Sequence, residues 1–313
     1  MNLKEIEYIV KIAEERNVTH AAEKLFLTPS ALNQQLLHLE REIGTQLFFR
    51  SRTGWTPTEA GEIYLNTARE MLRMKRETYK QLQDIATTKK GNLSIGFPPE
   101  RGAAMFTSVY PDFHMVYPDI TINVCEVSVH RQQQLIKKGD LDIGFLTLTD
   151  SQKTDDEHIF ITSEEIVLAI PTGHPLCGET VLSASGLYPE LDVEKLRYEP
   201  FALMYKESTF RQLVDSIFRH AGFVPTVLFE TARTHTILSM VSAKMCCGLV
   251  SSTYCLDPFP GVSFYSLPAH PTWNLMASYK KGSYLNTPAK HFISLASDYW
   301  QKKGRTQTMP ELR

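Results

Sequence analysis

The 313-residue sequence is short of one-sided charge, cysteine and long apolar runs, and each shortage excludes a class of protein. Lys plus Arg number 33 against 35 Asp plus Glu, a formal net charge of −2. That balance fits neither a polybasic nucleic-acid coat nor an acidic disordered tail. The five cysteines, Cys125, Cys177, Cys246, Cys247 and Cys255, are an odd set without C-x-x-C spacing, which argues against a disulfide scaffold or a zinc finger. The richest apolar run, Ile166 to Ile170, is far too short to span a membrane. Met1 to Glu7 lacks the apolar core of a signal peptide, so the expectation is a soluble, cytoplasmic protein with no membrane partner.

Catalytic signatures are missing as well. There is no G-x-S-x-G, no P-loop, no G-x-G-x-x-G and no paired-carboxylate site. The histidines, among them His114, His130 and His158, show no ligand spacing. The sequence therefore predicts no catalytic residue, no metal site and no cofactor. What is present is 42% hydrophobic residues, enough for full cores in two or three domains.

Leu3, Ile6, Ile9, Val10 and Ala13 recur at helical spacing and predict a helix over 3–16. Asn17-Val18-Thr19 breaks it, and Thr19 is the candidate cap of a short second helix carrying Ala21, Ala22, Leu25 and Phe26. After Leu27-Thr28-Pro29-Ser30 a third helix places Ala31, Leu32, Leu36, Leu39 and Ile43 inward and stops at Gly44. Two short helices joined by a tight turn make a helix-turn-helix. The outward face of the third carries Ser30, Asn33, Gln34, His38 and Arg41. Asn and Gln can bond bidentately to an adenine edge in the major groove, although any solvated helix shows such residues.

Two short strands follow, Gln46 to Arg50 and Gly54 to Thr56, with Arg50 and Arg52 near the tip of the hairpin. A hairpin after a helix-turn-helix is a wing, and its arginines can reach phosphates or the minor groove. Thr56-Pro57-Thr58-Glu59 starts a long helix, with Thr56 as cap and Pro57 in the first turn. Leu65, Ala68, Leu72, Lys75, Tyr79, Leu82 and Ala86 then form a heptad seam, roughly 45 Å long at 1.5 Å per residue. A small winged domain is not expected to cover that seam, so the same helix of a second chain is the predicted partner. Residues 1–90 hold 7 Lys and 7 Arg against 11 Glu and 1 Asp, a slightly basic head on an acidic remainder.

Leu3 to Val10, Thr19-His20-Ala21-Ala22-Glu23-Lys24-Leu25, Ala31-Leu32, Gln35-Leu36, Leu39-Glu40, Ile43-Gly44, Gln46 to Arg50 and Thr58-Glu59-Ala60-Gly61 resemble the winged head of LysR-type transcriptional regulators. The likeness runs almost without gaps over about 65 residues. One stretch departs: the family's common Ser-Gln-Pro-Ala-Leu-Ser-Arg-Gln is here Thr28-Pro29-Ser30-Ala31-Leu32-Asn33-Gln34-Gln35. The resemblance implies binding to double-stranded promoter DNA without indicating the operator. It also implies a homodimer or homotetramer, a small-molecule effector, and contact with RNA polymerase. Asn33, Gln34 and Ser30 are the candidates for base edges; Thr28, Pro29, His38, Arg50 and Arg52 are the candidates for backbone or minor-groove contacts.

Thr87 to Asn92 is a polar hinge, beyond which strands and helices alternate and predict a mostly parallel sheet. The fold class expected is α+β and multi-domain. It comprises a winged helix-turn-helix over 1–57, a linker and dimerisation helix over 58–88, and an effector-binding region over 91–303. The last divides into subdomain I (about 91–164 and 269–303) and subdomain II (about 165–268), resembling a periplasmic solute-binding protein. Ile166 to Pro171 followed by Gly173-His174-Pro175-Leu176 resembles the family's first crossover.

Ligands in open α/β sheets bind at the carboxyl ends of strands, and helix N-termini attract anions. That rule selects Pro99, Glu100 and Arg101, then Ser128, Thr147, Tyr205, Lys206, Ser208, Thr209, Arg233, Thr234 and His235. Arg101 and Arg233 read equally as ligand clamps or loop arginines, and Ser208 and Thr209 equally as helix caps. The expected ligand is a small organic effector, with a carboxylate as one candidate group. Two other functions compete. One is a cysteine-based redox-responsive regulator, against which no cysteine has a neighbouring basic cluster. The other is a two-lobed solute-binding protein or enzyme without specific DNA reading, which fold alone does not exclude.

Overall fold

A computed structural model describes residues 2–51, 54–86, 90–178, 188–255 and 259–305. The chain separates into two compact units, Met1–Thr88 and Lys89–Arg313.

In the first unit α1 (Leu3–Glu15), α2 (Val18–Lys24) and α3 (Pro29–Ile43) are followed by β1 (Phe48–Ser51), β2 (Gly54–Pro57) and α4 (Glu59–Ile85). The cap of α2 is Asn17, not Thr19: its side chain accepts from the Thr19 and His20 amides. An Asn oxygen two to three residues ahead of the first free amides out-competes a Thr already inside the turn. Thr28 caps α3 through the Ala31 amide, Pro29 opens it, and Gly44 ends it at φ 72°. The strands pair antiparallel from Phe48 with Pro57 to Ser51 with Gly54. Pro57 thus closes a strand, and the cap of α4 is Thr58, which accepts from the Gly61 amide at 3.0 Å. Gly61 is required here, because a Cβ would lie 2.0 Å from the Leu47 carbonyl oxygen.

The seam of α4 divides in two. Leu65, Ala68 and Leu72 are buried with Ile6, Ile9, Leu32, Leu36 and Phe48 in the core of this same unit. Lys75 turns back to Glu7 at 2.7 Å. The expectation that a small head leaves the whole stripe bare therefore holds only for its distal part, where Tyr79 and Leu82 stay exposed. The stripe begins close to α1, and the head has room for its first two turns.

The second unit carries β3 (Gly91–Phe97), α5 (Arg101–Val116), β4 (Ile120–Glu126), α6 (Val129–Lys138), β5 (Ile143–Leu148) and the long β6 (Glu157–Pro171). It continues with β7 (Pro200–Met204), α7 (Thr209–His220), β8 (Thr226–Thr231), α8 (Thr234–Ser242) and β9 (Cys247–Ser251). Last come β10 (Val262–Ser266), β11 (Thr272–Tyr279) and α9 (Thr287–Arg305). One sheet runs β4-β3-β5-β11-β6-β9-β7-β8, with β10 beside β6. Pairing is parallel towards both ends, β3 with β4 and β5 and β7 with β8 and β9. Around β6 and β11 it is antiparallel, because those two strands carry the chain out and back between the halves. The sheet is mixed where the alternation of elements predicted a mostly parallel one.

Separate cores form on either side. One gathers Leu93, Ile95, Phe113, Phe145 and Phe292; the other gathers Ile166, Leu168, Phe201, Phe218 and Leu249. No helix among the described residues is long and apolar enough to cross a membrane.

Candidate functional site

On α3, Ser30, Gln34 and His38 are exposed and lie four residues apart, hence in one line along the helix, with Asn33 half-buried beside them. The capping of Thr28 consumes its hydroxyl at 3.2 Å from the Ala31 nitrogen. Pro29 supplies the first-turn geometry. Arg50 is not free at the hairpin: its Nη2 donates to Glu40 at 2.6 Å, and its guanidinium lies 5.1 Å from the Trp55 ring centroid. Glu40, itself buried, also accepts from the Leu47 amide at 2.9 Å. Arg50 thereby ties the hairpin to α3. Arg52 lies outside the described residues.

In the second unit a cavity of about 260 Å³ opens between the halves, at the carboxyl ends of β3, β5 and β7. Of the residues that strand-end reasoning selects, it gathers Pro99, Glu100, Arg101, Ser128, Thr147, Tyr205, Ser208, Thr209 and Thr234. Lys206, Arg233 and His235 are exposed and do not line it. Ser128 and Ser208 cap α6 and α7, accepting from the Arg131 and Arg211 amides. The Thr209 hydroxyl donates to the Thr147 carbonyl at 3.1 Å, joining the two halves at the cavity floor.

Sequence reasoning missed Tyr254, Trp273, Phe210, Met204 and Ser251, which make the wall largely apolar and aromatic. It also missed Glu164. The Arg101 guanidinium meets that carboxylate with both terminal nitrogens, one of them at 2.8 Å. The pair is nearly sealed, with side-chain exposures of 10% and 4%. Ser251 and the Trp273 indole donate to the same carboxylate at 2.6 and 3.1 Å. Arg101 also lies 4.5 Å from the centroid of Trp300. Burial works against both charges, but their mutual attraction and hydrogen bonds outweigh it: Glu164 is held below the usual carboxylate range and Arg101 raised. Arg101 is therefore a structural cation here, and not a free clamp.

Glu100 is equally committed. It accepts from the Thr234 amide at 2.9 Å, the His235 amide at 3.4 Å and the Tyr254 hydroxyl at 3.3 Å. Burial pushes the Tyr254 phenol up to about 12, so the hydroxyl stays protonated as a donor. Glu100 caps α8 from the opposite half, with φ at 67°, a sparsely populated region that costs on the order of 1–3 kcal/mol. The three contacts hold it there.

All five cysteines are free. Burial raises the Cys246 and Cys255 thiols and pushes Cys247 up to about 12, conditions that disfavour the reactive thiolate. Among the described residues no group of three or more His, Cys, Asp or Glu is placed to hold a metal ion.

Comparison with known proteins agrees across nearly the whole chain. Residues 86–301 match the family described as LysR substrate binding domain, and residues 3–62 match the bacterial regulatory helix-turn-helix proteins of the lysR family. The transcriptional regulator YcgK of Bacillus subtilis (strain 168) is 27% identical over 310 residues, covering 95% of this chain and 94% of its own. AlsR of the same organism is 28% identical over 300 residues, covering 95% and 91%. A solved full-length OxyR from Pseudomonas aeruginosa superposes with a TM-score of 0.67 at 21% identity, covering 95% of this chain and 94% of its own. At that identity the likeness concerns fold alone.

Proposed function

The chain belongs to the LysR family of DNA-binding transcriptional regulators, and from that premise we propose that its promoter binding is set by a small molecule held in the 260 Å³ cavity. The observation that carries the reading is the pairing of two unspent surfaces. One is the exposed line Ser30, Gln34, His38 on a helix framed by a hairpin; the other is a lined cavity between two halves.

In this reading α3 enters the major groove, with Asn33, Gln34 and Ser30 at base edges and His38 on the backbone. Arg50 shapes the hairpin, and Arg52 takes a phosphate or the minor groove. Subunits pair through α4 as a homodimer or homotetramer, so the operator repeats with the symmetry of the protein. The ligand acts by preferring one arrangement of subunits, since equal affinity for both would shift nothing. Altered geometry changes DNA bending and contact with RNA polymerase.

Genome-wide binding-site selection with purified protein at stated salt, followed by a footprint, tests this. The expected result is a partly palindromic site with half-sites about 10–10.5 base pairs apart, or a multiple of that. Weak, salt-sensitive and sequence-blind binding would overturn it. A turnover assay on ligands found by thermal shift separates a regulator from an enzyme on the same fold, because a regulator binds without consuming.

A further inference from the structure

We propose that Phe26 is a base-reading residue, its ring making an apolar contact with a thymine 5-methyl group in the major groove beside α3. The proposal rests on α3 being the helix that enters the groove.

Apolar spacing groups Phe26 with Ala21, Ala22 and Leu25 on the second helix. The structure instead ends α2 at Lys24 and leaves Phe26 in the turn, 96% exposed. The turn is a complete helix stop. The Leu27 amide donates to the Ala22 carbonyl at 2.9 Å, and the Phe26 amide to the Glu23 carbonyl at 3.2 Å. Phe26 thereby takes the left-handed position, at φ 55°, where glycine or asparagine is usual. Among the described residues it is the only apolar non-glycine side chain at positive φ. A residue with a Cβ is strained there, and a ring so exposed recovers nothing by packing. Strain kept without a packing return points to binding.

What the ring meets follows from its place in the head. Leu25 and Leu27, on either side, pack against the core, and the ring is turned away from it. The exposed surface continues through Thr28, Pro29 and Ser30 into the line of Gln34 and His38. Phe26 is two residues ahead of the Thr28 cap, so their Cα atoms are at most about 7 Å apart. A recognition helix approaches base edges with its N-terminal end, which brings this turn to the groove. There the thymine methyl is the apolar group on offer to a phenyl ring. A protein partner is a poorer fit. No other large apolar side chain between residues 4 and 42 is exposed. One ring falls far short of the roughly 800 Å² that each side of a stable interface buries.

The test uses the DNA site recovered by binding-site selection with the wild-type chain. Each thymine of that site is replaced in turn by deoxyuridine, which lacks only the 5-methyl group. At least one replacement should weaken wild-type binding about threefold, the loss expected for one buried methyl group. In Phe26→Asn the same replacement should change affinity by less than about 1.5-fold. Asparagine suits the left-handed backbone, so thermal unfolding should show the variant at least as stable as wild type.

Wild-type binding indifferent to every replacement, or a selected site without thymine, overturns the proposal and leaves α3 its role. Methyl sensitivity that survives in Phe26→Asn also overturns it, since another residue then makes the contact. A variant less stable than wild type would show that the ring serves the fold, again against the proposal. If the wild-type chain selects no site at all, the groove-entering role of α3 fails together with it.

Discussion

Arg101 and Glu164 close on each other in a forked ion pair beneath the cavity, one from the start of α5 and the other from the middle of β6. The arginine that looks from sequence like a ligand clamp is thereby a fastening between the start of α5 and the strand that joins the halves. Removing one partner of a buried pair strands the other charge, at a cost of about 3–5 kcal/mol. Glu164→Gln should destabilise the second unit by about that amount, read from urea unfolding of the full chain at pH 7. Because Glu164 is held below its ordinary value, its contribution is full above the unfolded pKa and is lost as pH falls through the folded one. The difference between wild type and variant should therefore narrow on acidification. A gap that stays constant down to pH 3 would count against the ion pair as its source.

In the head, Arg50 joins Glu40 at 2.6 Å and covers Trp55. Arg50→Ala leaves Glu40 buried with only the Leu47 amide as partner, and should cost the head about 1–3 kcal/mol. Its effect on DNA should follow from a loosened hairpin, weakening all sites alike. Thermal unfolding and binding to a matched and a scrambled site would be measured together. Unchanged stability with a selective loss at one base pair would show that Arg50 reads sequence.

Gln34 is expected to behave in the opposite way. It is exposed in mid-helix and makes no hydrogen bond among the described residues. Gln34→Ala should leave stability within about 0.5 kcal/mol of wild type. At the base it contacts, discrimination should fall by about 1–3 kcal/mol. Competition between variant operators measures this directly, and equal losses on every sequence would remove Gln34 from the reading face.

These contrasts show what the sequence made legible. Short-range chemistry read well: Gly44 as a helix stop, Ser208 as a candidate helix cap, and strand-end loops most of which gather around a cavity. Local competition was harder. Thr56 and Thr58 flank the same proline, and only the pairing of Pro57 with Phe48 decides which one caps α4. Long-range pairing was not legible at all. Glu164 and Trp273 are 109 residues apart and meet because β6 and β11 lie side by side. Nothing near Trp273 in sequence marks it as a cavity wall, and Glu157 to Glu164 alternates too weakly to show the outer half of a 15-residue strand.

His270 sits just before β11 and faces two carboxylates, Glu165 at 2.9 Å and Glu190 at 3.3 Å. The hydrogen bond to Glu165 raises its pKa, against partial burial, with help from the charges of both acids. A raised histidine pKa stabilises fully below the unfolded value near 6.5, and that contribution is lost as pH rises through the folded value. The melting temperature of the second unit should therefore fall between pH 6 and pH 8 in wild type. His270→Asn should flatten that slope; Asn tolerates the backbone at φ 43°. An identical slope in the variant would assign the pH dependence to another group.

Apolar side chains stay exposed along α4 as well as at its distal seam. Ile63, Met74 and Ile85 are exposed. They lie eleven residues apart, three helical turns each, and so form one line along the helix. That line differs from the inherited seam, whose first half the head already covers through Leu65, Ala68 and Leu72. Subunit pairing in this family member is accordingly predicted along the exposed line, with Leu82 at its side. Burying a large aliphatic side chain contributes about 1.5–3 kcal/mol. Met74→Glu with Ile85→Glu should thus weaken dimerisation by roughly a hundredfold or more at 1.4 kcal/mol per tenfold. Sedimentation equilibrium of the full chain reads this, and circular dichroism confirms that α4 stays folded. Loss of the dimer with helix content retained places the interface on this line. A dimer of unchanged strength would move the pairing to the second unit.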